Sequence, residues 1–275
     1  MPELPEVETV KRGLARSVLG KRIEEVNIFD PSLVKKPGNR TFVRGLLKKR
    51  IVQVGRRGKY LLIYLDSHRV WVVHLRMTGR MLFSDDGRPK ADKSTRAILT
   101  LSGGKQGCSY LSFSDTRRFG EWYLVRRPEE VPLISKMGPD PLGIGRDEFA
   151  IKVKEKKRQI KALLLDQEFL GGIGNIYACE VLYRTGLHPK RRASRISISN
   201  IKRLRDNIQA ILKEAIRAGG SSVRNYRRSD GSKGWFALKL AVYGRAGSPC
   251  PRCGATIKRT EISGRGTFYC PGCQR

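Results

Sequence analysis

Apolar residues recur at three- and four-residue steps near the start of the chain. Val7, Val10, Leu14 and Val18 make one stripe over residues 4–19, which predicts an amphipathic helix packed by one face. Pro5 suits the first turn, where its missing N–H is no loss. Glu6 and Glu8 suit the positive end of the helix dipole, and Gly20 is a natural stop. Pro2 and Glu3 therefore sit just ahead of a packed helix. This chain end is expected to be anchored, where most termini fray.

From Arg22 to about Arg127 the period shortens. Runs at 23–29, 51–54, 60–65, 70–75, 97–101, 110–113 and 122–125 read as strands. Pro37-Gly38, Asp66-Ser67, Asp86-Gly87 and Gly103-Gly104 supply turns between them. Many short strands with no intervening helix predict an antiparallel β-sandwich. Pro128, Pro132, Pro139 and Pro141, with Gly138, Gly143 and Gly145, mark a linker. Helical patterns follow. Residues 160–165 belong to one helix, and 170–175 form a glycine-rich turn. Residues 176–184 form a second helix with Asn175 as N-cap. Ile201, Leu204, Ile208, Ile211, Leu212, Ala215 and Ile216 stripe a third, closed by Gly219-Gly220. A polar loop over 221–234 holds Arg224, Arg227 and Arg228. The expected class is α+β and multidomain: an N-terminal helix on a β-sandwich (1–130), a helical domain (131–240) and a cysteine module (241–275).

Charge narrows the function. The chain of 275 residues has 56 basic and 25 acidic side chains, a net charge of +31. Such an excess repels itself in a compact chain unless a polyanion is the partner. From Arg184 onward the acids are Asp206, Glu214, Asp230 and Glu261 alone. The basic C-terminal half reads as a phosphate-binding surface, with a solvated face tuned for solubility as the bland alternative. No run of about 18 apolar residues is present, which argues against a membrane span. The acidic, proline-bearing start does not read as a signal peptide.

Four of the six cysteines fall as Cys250-x2-Cys253 and Cys270-x2-Cys273. This is metal-ligand spacing in a reducing compartment. Two such knuckles can set four thiolates around one structural zinc ion, with no catalytic position left open. So short a tail has little core, and the metal supplies its folding energy, roughly 10–16 kcal/mol in small zinc peptides. Residues 254–269 read as a hairpin carrying Lys258, Arg259 and Arg265, with Gly264 and Gly266 as turn glycines. It is either purely structural or a nucleic-acid contact. Cys108 and Cys179 read as packing residues.

Other candidates are weaker alone. Gly172-Ile173-Gly174-Asn175 before a helix can cradle a phosphate or be an ordinary turn. His74-Leu75-Arg76-Met77-Thr78-Gly79 and Asp115-Thr116-Arg117-Arg118-Phe119-Gly120 pair cations with large apolar side chains near strand ends. Met77 and Phe119 could enter a base stack or simply fill a core. Lys59, in Arg56-Arg57-Gly58-Lys59-Tyr60, is either a solvated turn residue or a phosphate contact. The three histidines form no catalytic pattern. Pro2 is small, so removal of Met1 is expected, leaving a secondary amine. Such an amine titrates near neutrality and attacks an aldehyde-like carbon to give an iminium, with Glu3 placed to shuttle protons. The plain alternative is a helix start and nothing more.

Several motifs occur in one order: Pro2-Glu3-Leu4-Pro5-Glu6-Val7-Glu8-Thr9, Gly58-Lys59-Tyr60-Leu61, His74-Leu75-x-Met77-Thr78-Gly79, Asp115-x-Arg117-Arg118-Phe119-Gly120, Gly174-Asn175-Ile176-Tyr177-Ala178 and the terminal cysteine finger. In this the chain closely resembles the bacterial formamidopyrimidine-DNA glycosylases over essentially its whole length. The related endonuclease VIII branch usually has glycine where Leu4 stands. The resemblance implies a two-layer β-sandwich, a helix–two-turn–helix domain and a zinc finger. It also implies a bifunctional base-excision repair enzyme, a DNA glycosylase and abasic-site lyase. Its substrate would be double-stranded DNA carrying oxidised purines (8-oxoguanine, formamidopyrimidines), and its strand cleavage β,δ-elimination.

By the same resemblance, Pro2 attacks C1′ and forms the Schiff base, and Glu3 donates and accepts protons. Lys59 contacts the phosphate flanking the lesion and assists the acid–base steps. Met77, Arg117 and Phe119 fill the hole left by the flipped base, with Arg117 reading the opposite cytosine. Asn175 and Arg265 clamp phosphates, and Arg265 also takes part in elimination. Tyr177, in the Asn175 motif, and Lys156 count among the DNA contacts, and the 221–234 loop covers the flipped base. One departure stands out. Where the family often has Lys-His-x-His, this chain has Lys93-Ser94-Thr95-Arg96, so Arg96 is the substitute DNA cation. A monomer with no membrane partner is expected, in the cytoplasm on the nucleoid. The competing readings are the same scaffold acting on oxidised pyrimidines, and a non-catalytic zinc-ribbon protein that grips damaged duplex.

Overall fold

The structure, a computed structural model, describes residues 1–221 and 226–275; Arg224 of the polar loop lies outside them. The chain forms two compact units, residues 1–136 with 218–235, and residues 137–217 with 236–275.

The first unit opens with α1 (Leu4–Val18). Its apolar stripe is fully buried against β3 (Ile51–Arg57) and β4 (Tyr60–Leu65). The other strands are β1 (Ile23–Ile28), β2 (Val34–Lys36), β5 (Val70–His74), β6 (Arg80–Ser84), β7 (Thr95–Ser102), β8 (Cys108–Ser114) and β9 (Glu121–Val125). They form a four-stranded sheet, β1-β7-β8-β6, and a five-stranded sheet, β2-β9-β5-β4-β3. All pairs are antiparallel except β2 with β9. One apolar core holds residues of both sheets and of α1. At its centre the Trp122 ring lies 4.7 Å from Trp71, 5.3 Å from Phe113 and 5.8 Å from Phe42.

Phe42 belongs to α2 (Asn39–Leu46), a helix the strand pattern did not predict. Its eight residues carry just two buried anchors, Phe42 and Leu46, one turn apart, and Pro37-Gly38 before it reads as a turn. The short strands β2 and β6 were missed as well. A two-residue turn, Gly58-Lys59, joins β3 to β4, and the Gly58 φ of +55° fits the first central position of a II′ hairpin.

The short helix α3 (Pro132–Ser135) ends this stretch of the first unit. In the second unit α4 (Arg146–Lys154), also absent from the sequence pattern, packs on α7 (Ile198–Arg217), and α5 (Ile160–Leu165) packs on α6 (Asn175–Thr185). A two-pronged ion pair, Arg184 to Glu214 at 2.7 and 2.8 Å, ties α6 to α7. Gly186, at φ +76°, closes α6 in the left-handed form. The tail forms the hairpin β10 (Lys258–Ile262) and β11 (Arg265–Tyr269), packed on α6. Its turn is Ser263-Gly264, both at positive φ. Gly266 is a strand residue opposite Glu261, not a turn residue. Among the described residues no helix is long and apolar enough to cross a membrane.

Trp122 joins most of the aromatic contacts of the first core. Trp122→Ala should lower unfolding free energy by about 3–5 kcal/mol, read by chemical denaturation. A loss below about 1 kcal/mol, the range of surface changes, would show that this cluster does not hold the sandwich.

Candidate active site and zinc centre

The start of α1 is locked by its own acids. Pro2 and Glu3 are buried, while Met1 is exposed. The Glu6 carboxylate takes one backbone N–H on each oxygen, from Glu3 at 2.9 Å and from Ser221 at 2.7 Å. The buried Tyr226 hydroxyl donates to the Glu6 carbonyl at 3.3 Å. Burial pushes that phenol's pKa up, and the Glu6 charge adds to the shift. Gly220 is required here. Its φ is +84°, and a Cβ would lie 2.9 Å from the Tyr226 ring and 3.2 Å from Glu6.

Two residues on, Glu8 is buried among cations. It accepts from Lys11 at 3.0 Å, Arg12 at 2.9 Å and Arg56 at 2.9 Å. Burial pulls its carboxyl pKa upward, but hydrogen bonds from Arg12, Arg56 and Lys11 outweigh it and leave the value lowered. Arg56 also donates to the Gly58 carbonyl at 3.1 Å. One guanidinium thus fixes the turn that carries the buried Lys59 to the first helix.

Asp115 organises the next pair of motifs. One carboxylate oxygen accepts from the Thr78 hydroxyl and, at 3.2 Å, from the Arg117 amide. The other accepts the amides of Phe119 at 2.8 Å and Gly120 at 2.7 Å. Four donors on one buried carboxylate hold the two loops together. They present Phe119, which is 50 % exposed and so is not a core residue. The Arg117 guanidinium lies 4.8 Å over its ring, a cation–π geometry. Met77 is half-buried. A Cβ at Gly120 would lie 2.7 Å from the Phe113 ring, and one at Gly79 would meet Phe113 at 2.9 Å, so both glycines are needed.

Arg96 is only 7 % exposed, and its Nε donates to the Asp115 carbonyl at 2.8 Å. The structure turns this cation inward to the loop. His74 is buried and accepts the Arg76 amide on Nδ1 at 2.9 Å. Burial, then the charges of Arg76 and Lys59, hold it well below the usual histidine range, so it stays neutral.

In the second unit Asn175 is the first residue of α6, and Gly174 is the N-cap. The expected cap geometry fails because the Asn175 side chain is engaged elsewhere. Its Nδ2 donates to the Gly266 carbonyl at 2.8 Å, and its Oδ1 accepts from Lys161 at 2.6 Å. Lys161 is 0 % exposed and also donates to the Thr267 hydroxyl at 2.7 Å. That hydroxyl bonds the Arg265 carbonyl at 3.0 Å. A buried ammonium thus links the Asn175 turn to the strand bearing the exposed Arg265. Lys156 is exposed just beyond α4. Tyr177 is 1 % exposed and packs on Phe236, ring centroids 5.7 Å apart. Its ring is part of a core.

The four finger cysteines place their sulfurs within 4.8 Å of one another. Cys250 and Cys273 are 3.9 Å apart, Cys253 and Cys270 3.4 Å. A tetrahedral zinc thiolate site, with Zn–S near 2.3 Å, has edges of about 3.8 Å. The amides of Arg252 and Cys273 point at Cys250 and Cys270 sulfurs, each at 3.4 Å. Burial raises the Cys250 thiol, but hydrogen bonds from Tyr183 and the Arg252 and Cys253 amides outweigh it and bring the pKa to about 6. Cys273 is pushed up to about 12, by burial and then by the neighbouring sulfurs. Crowded sulfurs resist ionising together unless a cation sits among them. The donor set fits zinc, and Cys250, Cys253, Cys270 and Cys273 would hold it.

Comparison with known families gives three matches in chain order. Residues 1–122 match the formamidopyrimidine-DNA glycosylase N-terminal domain, and 137–227 match the formamidopyrimidine-DNA glycosylase H2TH domain. Residues 247–275 match a zinc finger found in FPG and IleRS. The chain belongs to the formamidopyrimidine-DNA glycosylase family. A family member from Heliobacterium modesticaldum is 43% identical over 282 aligned residues, covering all of both chains. The Lactococcus lactis enzyme in complex with a Fapy-dG-containing DNA is 34% identical, with a TM-score of 0.89, over 99% of this chain and 100% of that one. A protein named MutM, in complex with carbocyclic 8-oxo-G-containing DNA, is 36% identical with a TM-score of 0.89 over all of both chains.

The residues that hold the site up carry little signal in the sequence. Asp115 is visible there only as part of a motif, and Glu8 only as a helix-dipole charge. Lys161 had one signal, a single cation in the apolar run Ile160–Leu165. Glu180 had a similar one between Cys179 and Val181. Its buried carboxylate accepts the amides of Ala241, Val242 and Tyr243 at 2.8–2.9 Å.

Asp115→Asn keeps the volume but turns an amide NH2 toward backbone donors. It should cost about 1.5–3 kcal/mol, the range for hydrogen bonds to a charged group, read by thermal unfolding. An unchanged midpoint would mean that the carboxylate charge does not hold the loops. Glu8 has a lowered folded pKa, so the stability it contributes is present above the unfolded carboxyl value of 4.5 and is lost as pH falls through the folded one. Stability measured across that acid range should fall less steeply in Glu8→Gln than in the wild type. Parallel slopes would remove Glu8 from the acid response.

Proposed function

We propose that the protein is a base-excision repair enzyme, a DNA glycosylase and abasic-site lyase that removes 8-oxoguanine and formamidopyrimidines from double-stranded DNA. The observation that carries this is the clamped chain start, where Pro2 and Glu3 are buried ahead of a helix fixed by Glu6. The solved relatives named as complexes with Fapy-dG and 8-oxo-G DNA support the substrate class.

With Met1 attached, the Pro2 nitrogen is an amide and has no nucleophilic lone pair. Once Met1 is removed, the neutral amine attacks C1′ of the extruded nucleotide. The C1′–N bond forms as the glycosidic bond breaks. Glu3 supplies a proton to the departing base or the sugar ring oxygen, and the amine loses its own. Opening of the sugar leaves an iminium. That electron sink acidifies C2′, so proton loss there expels the 3′ phosphate, and a second elimination expels the 5′ phosphate. Water then hydrolyses the imine and frees Pro2.

The rest of the molecule delivers the nucleotide. Extruding a base costs a few kcal/mol, least for a damaged pair. Met77, Arg117 and Phe119 offset part of that by filling the gap, since stacking on aromatics contributes about 1–3 kcal/mol per base. Lys59, Asn175, Lys156 and Arg265 grip phosphates, contacts that position a duplex without reading its sequence. The buried Tyr177 and Arg96 act from within, Tyr177 as packing for α6 and Arg96 as a brace for the Asp115 turn. The protein acts as a monomer on chromosomal DNA.

Strand cleavage should be faster on an 8-oxoguanine·cytosine duplex than on one with an oxidised pyrimidine, and absent in Pro2→Gly. Glu3→Gln should lower the rate by about 10²–10⁴-fold, the span of general acid–base catalysis. Arg117→Ala should flatten the preference for cytosine opposite the lesion by about 1–3 kcal/mol. Tight duplex binding without cleavage would make the chain a binding protein. Preference for the pyrimidine lesion would move it to the endonuclease VIII type.

A further inference from the structure

Tyr183 lies on α6 with its hydroxyl 3.4 Å from the Cys250 sulfur. A zinc-bound cysteine carries no proton, so in that contact the phenol is the donor and the sulfur the acceptor. The ring packs in one cluster with Cys179, Cys250 and Cys270. Its face is covered by the Arg252 guanidinium, 4.8 Å from the centroid, and the Arg252 amide points at the same sulfur. Cys250 therefore receives amide hydrogen bonds from its own knuckle and a hydroxyl hydrogen bond from a helix far away in sequence.

We propose that Tyr183 is a positioning residue for the zinc site: its hydroxyl holds the Cys250 thiolate on the metal, and Arg252 fixes the ring that delivers it. A hydroxyl aimed at the sulfur fixes the direction of the Cys250 side chain, and the clamped ring keeps that hydroxyl in place. The same contact is a second tether between finger and helix. Asn175, eight residues earlier and about 12 Å along α6 at 1.5 Å per residue, holds the hairpin through Gly266. Tyr183 holds the metal knuckle.

Tyr183→Phe removes one oxygen and keeps the ring. In the zinc-loaded protein, release to excess chelator should be about tenfold faster, the lower end of the effect of losing such an outer partner. Arg252→Ala should quicken release in the same direction by less. In cobalt(II)-substituted protein, the thiolate-to-cobalt charge-transfer band should move to lower energy in Tyr183→Phe, because an unbonded thiolate is the better electron donor. The proposal needs both changes. Wild-type release overturns it, and so does faster release with an unmoved band, which is what lost packing alone produces.

Discussion

The Glu6 carboxylate fixes the start of the chain, the kind of segment that frays when nothing ties it down. Each of its oxygens holds a backbone N–H, one at Glu3 and one at Ser221. All of these groups are buried, where a donor left without a partner costs about 1–3 kcal/mol. The helix start cannot shift without breaking both bonds. Glu8 extends the constraint through Arg56 to the Gly58 carbonyl, and so to the turn bearing Lys59. Pro2 and Glu3 gain a fixed geometry because two acids in the first turns make that chain end part of a core.

The same division of labour runs through the molecule. Acids are outnumbered more than two to one, and several of the few are buried on backbone amides: Glu6 at the chain start, Asp115 under the loops of Thr78 and Phe119, Glu180 under the segment that leads to the finger. Many cations, Arg117, Lys156 and Arg265 among them, stay exposed. These buried acids are held by backbone amides, and the excess of exposed cations over exposed acids suits a phosphate backbone. The finger follows the same logic with a different ion, since four crowded sulfurs need a cation to ionise together.

Much of the fold was legible because its signals are local. The stripe of α1 and the alternation of most strands appear within short windows. The knuckle spacing of the cysteines names its metal without any tertiary knowledge. The misses were of two physical kinds. Elements too short to show a period, such as α2 with Phe42 and Leu46 alone and the three-residue β2, are stabilised by long-range packing that no window contains. Side chains with tertiary partners were misread from local rules. Asn175 has the chemistry of an N-cap but bonds Gly266 and Lys161 instead. Arg96, which only the family resemblance brings forward, also has a tertiary partner that its neighbours in sequence do not announce, the Asp115 carbonyl. The candidate site was legible as a set of motifs in order. Its supports were not, because a buried acid is recognised by the amides around it and not by its neighbours in sequence.

The central assignment rests on one atom, the nitrogen of Pro2. Peptide mapping of the borohydride-trapped complex with an 8-oxoguanine·cytosine duplex tests it most directly. The expected product is a single DNA adduct on an N-terminal peptide that begins at Pro2 and lacks Met1. An adduct on Lys59 or another lysine, or one on a chain that still carries Met1, would contradict it.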